Sequence, residues 1–248
     1  MPIEVLSNTA RSRESRNKLR PEDKAVHDWY RFVLSFPPHL VQDYVDRFGV
    51  AASDTVLDPF CGTGTTLVEC KKLGIGSVGI ESTPMAHFAS SVKVDWSVES
   101  TRLQDYAREV VSSARRTLKQ QGIDEWDDVP LFAAKKSRRP SLRGLPPEQA
   151  KLLLKDSISP LPLHKTLVLL DSIDRHGNSR VQQYGRLALA SSLVHRIGNL
   201  KFGPEVGVGQ VKKDAPVSEA WLDSMRTIIR DLRLNKDQAD VPGRVLTA

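Results

Sequence analysis

Asp58-Pro59-Phe60-Cys61-Gly62-Thr63-Gly64-Thr65-Thr66 decides how this chain is read. The run before it, Thr55-Val56-Leu57, is short, apolar and bounded by polar residues, the pattern of a buried parallel strand. Thr65 to Leu73 then has helical character and is closed by Gly74. Gly62 and Gly64 allow a sharp turn and a close approach to a ligand. The start of the following helix offers N–H groups with no intrahelical partner. Further on, Ser77-Val78-Gly79-Ile80 reads as a second strand tipped by Glu81, and Pro84 to Val94 as a second helix. Strand, loop, helix, strand, helix is the rhythm of a doubly wound α/β sheet, whose ligands bind beyond the carboxyl ends of its strands.

Three chemistries compete for such a loop. A phosphate-gripping P-loop ends in Gly-Lys-Ser/Thr, and no lysine stands here. A dinucleotide loop wants a third glycine for close helix packing, and that position is Leu67. S-adenosylmethionine (SAM) has no phosphate and needs no third glycine. Its ribose diol suits a carboxylate at the tip of the second strand, which is where Glu81 falls. The loop therefore reads as a SAM site.

Upstream, Phe36-Pro37-Pro38-His39-Leu40 leads into Leu40, Val41, Tyr44, Val45 and Phe48 at helical spacing, with Gly49 as the stop. With this segment in view the chain resembles the amino-methylating DNA methyltransferases, which methylate adenine N6 or cytosine N4. Asp58 to Thr66 is similar to their first motif, Phe36-Pro37-Pro38 to their tenth and Gly79-Ile80-Glu81 to their second, in the order ten, one, two. The resemblance covers roughly residues 27–96. It implies a Rossmann-like SAM-dependent methyltransferase fold and a cofactor site of Phe36, Pro37, Asp58, Pro59, Phe60, Cys61, Gly62, Thr63, Gly64, Thr65, Thr66, Glu81 and Ser82. In that assignment Asp58 sits near the methionine amino group, Thr65 and Thr66 bond its carboxylate, Glu81 holds the ribose, and Ser82 to Met85 border the adenine. Cys61 reads as a small loop residue, His39 and His87 as packing or surface groups, and Trp29 and Tyr30 as core aromatics.

The 248 residues carry a net charge of +6, which suits a polyanionic partner and so supports DNA. The run Lys135-Lys136-Ser137-Arg138-Arg139-Pro140-Ser141-Leu142-Arg143 supplies phosphate-contact candidates in Lys135, Lys136, Arg138, Arg139 and Arg143. Two cysteines support neither a disulfide framework nor a metal cluster, so no metal is expected. Neither a membrane span nor a signal pattern is read, so the expected location is cytoplasmic.

The family's acceptor site, an Asp/Asn/Ser-Pro-Pro-aromatic motif after the fourth strand, is not found. Leu145-Pro146-Pro147-Glu148 and Ser159-Pro160-Leu161-Pro162 both fail its pattern. The catalytic residues are therefore unknown. Val245-Leu246-Thr247-Ala248 reads as the strand that leads into that motif, which implies an incomplete sheet and either a second polypeptide carrying the motif or a truncated or decayed gene product. The expected layout is a polar arm over 1–25, a SAM-binding half over 26–100, a mainly helical insertion with target-recognition or DNA-contacting character over 101–197, and a return to the core over 198–248. The leading reading is the cofactor-binding part of a split or truncated site-specific DNA methyltransferase. A non-catalytic SAM- or DNA-binding subunit and an RNA methyltransferase are the alternatives.

Overall fold

The computed structural model describes residues 21–31, 35–125, 140–202 and 205–248. Two short 3-10 turns, Pro21–Lys24 and His27–Trp29, precede helix α1 (His39–Phe48). Strand β1 (Thr55–Asp58), helix α2 (Thr65–Lys72), strand β2 (Gly76–Glu81) and helix α3 (Pro84–Val94) follow. Next come α4 (Ser100–Gln120), α5 (Pro160–Arg175), α6 (Ser179–Ser192), strands β3 (Leu200–Phe202) and β4 (Val206–Val208), and α7 (Val217–Leu234). The last strand is β5 (Gly243–Thr247). The chain divides into two units, Met1–Ser97 with Asn235–Ala248, and Val98–Leu234.

The first unit is built on an all-parallel sheet of order β1-β2-β5. Thr55 pairs with Gly76 and Ser77 with Gly243. Val41 and Val45 of α1 meet Cys70 and Ile75 in a small core, with Val50 and Val56 against it. Gly49 closes α1 in the left-handed conformation, φ 62°. An α/β sheet of this kind agrees with the reading from the sequence.

Two expectations are corrected. The return to the core starts at Asn235, not at residue 198, because 198–234 packs as a hairpin and a long helix in the second unit. The final strand also lies elsewhere than expected. A strand leading into the acceptor motif belongs beside β1 in the order 3-2-1-4, whereas β5 pairs on the far side of β2 and so occupies the third position. The reason is local. The buried Lys71 ammonium donates to the carbonyls of Ala239, at 2.9 Å, and Val241, and lies 5.2 Å from the Trp96 ring centre. The Ser77 N–H donates to the Pro242 carbonyl at 3.0 Å. These bonds set the chain down against β2, so Val98–Leu234 is an insertion between α3 and β5. Among the described residues no strand pairs with the other edge of β1, and Leu57 there is 61% exposed.

The second unit packs α4, α5, α6 and α7 around Leu103, Val110, Leu118, Leu169, Ile173, Leu187 and Ile228. Pro160 and Pro162, which look like breakers in the sequence, stand in the first turn of α5, where the missing N–H costs no bond. Asn178 caps α6 through the Val181 N–H. The Tyr106 hydroxyl donates to the Ile173 carbonyl, and the Trp221 indole to that of Gly185. No helix of the described residues is long and apolar enough to cross a membrane.

Replacing Lys71 by Met leaves two carbonyls without their charged donor. Two such charge-assisted bonds correspond to about 3–6 kcal/mol of stability. Urea unfolding should show a loss of that size, with amide exchange at the β2–β5 ladder rising more than at β1–β2. Equal exchange in both ladders would contradict the stapling role.

Candidate functional site

The loop after β1 is held by its own backbone. The Cys61 N–H donates to the Ile80 carbonyl at 3.1 Å, which extends the β1–β2 ladder into the loop. The Gly64 N–H donates to the Cys61 carbonyl at 2.8 Å, and Asp58 Oδ1 accepts from the Phe60 N–H at 3.1 Å. Gly62 and Gly64 have φ of 53° and 84°, which side chains strain to adopt. A Cβ on Gly64 would also stand 3.0 Å from the Ser90 Cβ of α3, so the helix presses directly on the loop.

Glu81 stands at the tip of β2, its Oε1 accepting from the Thr83 N–H at 2.7 Å. That bond, with further donation from Gly62 and Ser82, holds its carboxyl below the usual carboxylate range. The group is therefore an anion at neutral pH. Burial pushes the Cys61 thiol up to about 11, so it stays a neutral thiol, as a packing residue would.

The segment before α1 is tied down by buried polar pairs. The neutral His27 ring donates through Nε2 to Glu69 Oε1 at 2.7 Å. Glu69 also accepts from Gln42 at 2.5 Å and from Lys72 at 2.7 Å. Asp23 and His39, both buried, bond at 2.8 Å. So the inner end of the expected polar arm is packed structure. The rest of that arm, residues 1–20, lies outside the described residues.

A cleft of about 330 Å³ opens at the carboxyl ends of β1 and β2. Of the residues proposed from the sequence, Phe36, Phe60, Cys61, Gly62, Thr63, Thr65 and Glu81 line it. Pro37, Asp58, Pro59, Gly64, Thr66 and Ser82 do not line it. Thr83 and Met85 join as the bordering stretch, and Tyr30, Ser35 and Ala86 are additions that sequence reasoning missed. Trp29 is core, as expected, but its neighbour Tyr30 faces the cleft, and burial raises its hydroxyl pKa. Aromatic walls, loop backbone and one carboxylate match a ligand with a cationic, aromatic and diol character, so the residues present fit SAM.

Lys135, Lys136, Arg138 and Arg139 lie outside the described residues. Arg143 is described, and its guanidinium pairs with Asp171 at 2.5 Å.

Residues 6–89 match the family model described as DNA methylase, N6_N4_Mtase. Over 72 residues the chain is 42% identical to the Type II methyltransferase M.BsoBI of Geobacillus stearothermophilus, covering 29% of this chain and 14% of that protein. It is 33% identical over 104 residues to the Type II methyltransferase M.MjaII of Methanocaldococcus jannaschii, covering 42% and 19%. It is 35% identical over 124 residues to the tRNA (guanine(10)-N2)-dimethyltransferase of Methanothermobacter thermautotrophicus, covering 48% and 31%. The chain thus spans less than a third of the length of these relatives. No solved structure matches it.

The His27–Glu69 pair sets an acid limit on this unit. Burial lowers His27 from 6.5 to about 4. Burial pushes Glu69 up, but the His27 hydrogen bond and the Lys72 charge outweigh it and hold the group at about 2. Both folded values lie below their unfolded ones, so the folded state binds fewer protons and stability rises with pH. Urea midpoints should therefore fall from pH 6.5 to 4 through His27, and from 4.5 to 2 through Glu69. Glu69→Gln should flatten the lower limb; a midpoint that rises on acidification would refute the assignment.

Proposed function

We propose that this chain, whose residues 6–89 belong to the N6/N4 amino-methyltransferase family, holds SAM for methyl transfer to an exocyclic amine of a DNA base, adenine N6 or cytosine N4. The observation that carries the reading is the cleft itself. One strand pair brings Phe36, the Phe60–Thr65 loop and Glu81 to a single opening.

When bound, SAM supplies a methyl group activated on a sulfonium. The chain's residues bind and orient it. Glu81, an anion fixed by the Thr83 N–H, accepts the ribose hydroxyls. The first-turn N–H groups of α2 receive the methionine carboxylate, favoured by the helix dipole. Met85 and Ala86, which line the cleft, would border the adenine, and Tyr30 and Phe36, which also line it, would shield the methionine end from water.

The acceptor side is a separate matter. An amine attacking the donor methyl in line needs a pocket that positions the extruded base, and no Pro-Pro-aromatic motif supplies it here. The open edge of β1 beside the cleft is where a further parallel strand fits, so the acceptor residues come from a second polypeptide or from further sequence of the same protein. On this reading the chain is the donor half of a site-specific methyltransferase, with DNA as substrate. The tRNA dimethyltransferase relative favours one second reading, an RNA acceptor.

Calorimetry with SAM should show one site per chain, and Glu81→Gln should weaken it about tenfold or more, since a charged hydrogen-bond pair to the ribose is lost. Radiolabelled methyl transfer by the chain with candidate partners, on duplex DNA against structured RNA, separates the two acceptors. A folded chain with no heat of SAM binding would remove the proposal.

A further inference from the structure

Lys93, in the last turn of α3, is buried, with 1% of its surface exposed. A lysine so enclosed loses the hydration of its ammonium, a cost that its contacts must offset. Its Nζ donates to the carbonyl of Thr63 at 3.3 Å. This carbonyl belongs to the same peptide whose N–H, on Gly64, donates to Cys61. Both polar groups of the Thr63–Gly64 peptide are therefore engaged, and its plane is locked. The next residue opens α2. The free N–H groups of Thr65, Thr66 and Leu67 take their direction from that plane, since the Gly64 carbonyl already receives the Val68 N–H.

We propose that Lys93 is a positioning residue for the donor site: its buried ammonium holds the Thr63–Gly64 peptide from behind and sets the first turn of α2, and the positive potential there, for the carboxylate of the donor's amino-acid end. The proposal rests on the SAM reading above for the identity of the ligand. The clamp on the loop stands on the geometry alone.

Other surroundings agree with an ammonium kept for its charge rather than for stability. The charged groups facing Lys93 are Arg31 and Asp28 from the segment before α1 and Lys72 from α2, and the neutral His27 senses it as well. Two cations against one carboxylate leave it undercompensated. Burial, then Arg31, lowers the Lys93 pKa from 10.5 to about 7, with Asp28 opposing. The folded value lies below the unfolded one, so the folded state is penalised at pH below about 7, and the penalty fades as pH rises toward 10.5. Removing the charge should then stabilise the fold while harming the site, the pattern expected of a functional residue.

The test compares wild type with Lys93→Met in the full chain. Methionine fills similar volume without charge. At pH 6 the variant should unfold at a higher temperature, yet bind SAM about tenfold more weakly by calorimetry. In wild type, affinity should decline as pH rises from 6.5 to 8.5. The α-amino group of SAM titrates in the same range, at roughly 7.7–8.0, so the lysine's share is the excess of the wild-type decline over that of the variant. Amide exchange of Gly62–Leu67, measured without SAM, should rise in the variant. A lower unfolding temperature with unchanged affinity and exchange would overturn the proposal and leave Lys93 a packing residue. Faster loop exchange in the variant, with no SAM binding by either protein, would keep the clamp and refute the SAM reading instead.

Discussion

The hydrogen bond from the Cys61 N–H to the Ile80 carbonyl is the constraint on which the site depends. It carries the parallel β1–β2 pairing past the end of β1, so the loop leaves the sheet already docked against its neighbour strand. That fixes Gly62 beside Glu81 and gives α2 its starting point. The two glycines in positive φ then let the loop turn back under α3 with no side chain in the way. A loop merely long and glycine-rich would be mobile. This one has its peptide groups engaged by β2, by its own turn and by Lys93.

The first unit secures its irregular segments with buried polar groups more than with a large apolar core. Glu69 on α2 collects His27, Gln42 and Lys72, which binds the segment before α1 to the helix behind the loop. Lys71 on the same helix turns to the backbone of residues 239–241 and sets β5 in place. Groups of this kind are costly when one partner is lost and specific in geometry when both are present. They position Tyr30 and Phe36 at the cleft although neither lies in a regular element.

Much of this was legible in the sequence because it is local. The Asp58–Thr66 loop, the βαβ order and the strand-tip Glu81 all follow from short-range pattern. The His27–Glu69 and Asp23–His39 pairs were not legible, since a histidine and a carboxylate distant in sequence leave no periodic mark. Tyr30 was misread because Trp29 beside it has equal aromatic character, and only the turn between them decides which is buried. Val245 to Ala248 reads as a strand in the sequence and the strand found is Gly243–Thr247, but its side of the sheet is set by Lys71 and Pro242, and apolar content carries no such information.

The proposed donor site has its β2 side in place and, among the described residues, no strand beyond β1. Amide chemical-shift mapping with SAM tests this most directly. Shifts at Tyr30, Ser35, Phe36, Phe60–Leu67 and Glu81–Ala86 are expected. Shifts absent from the loop and from Glu81 at saturating SAM would contradict it.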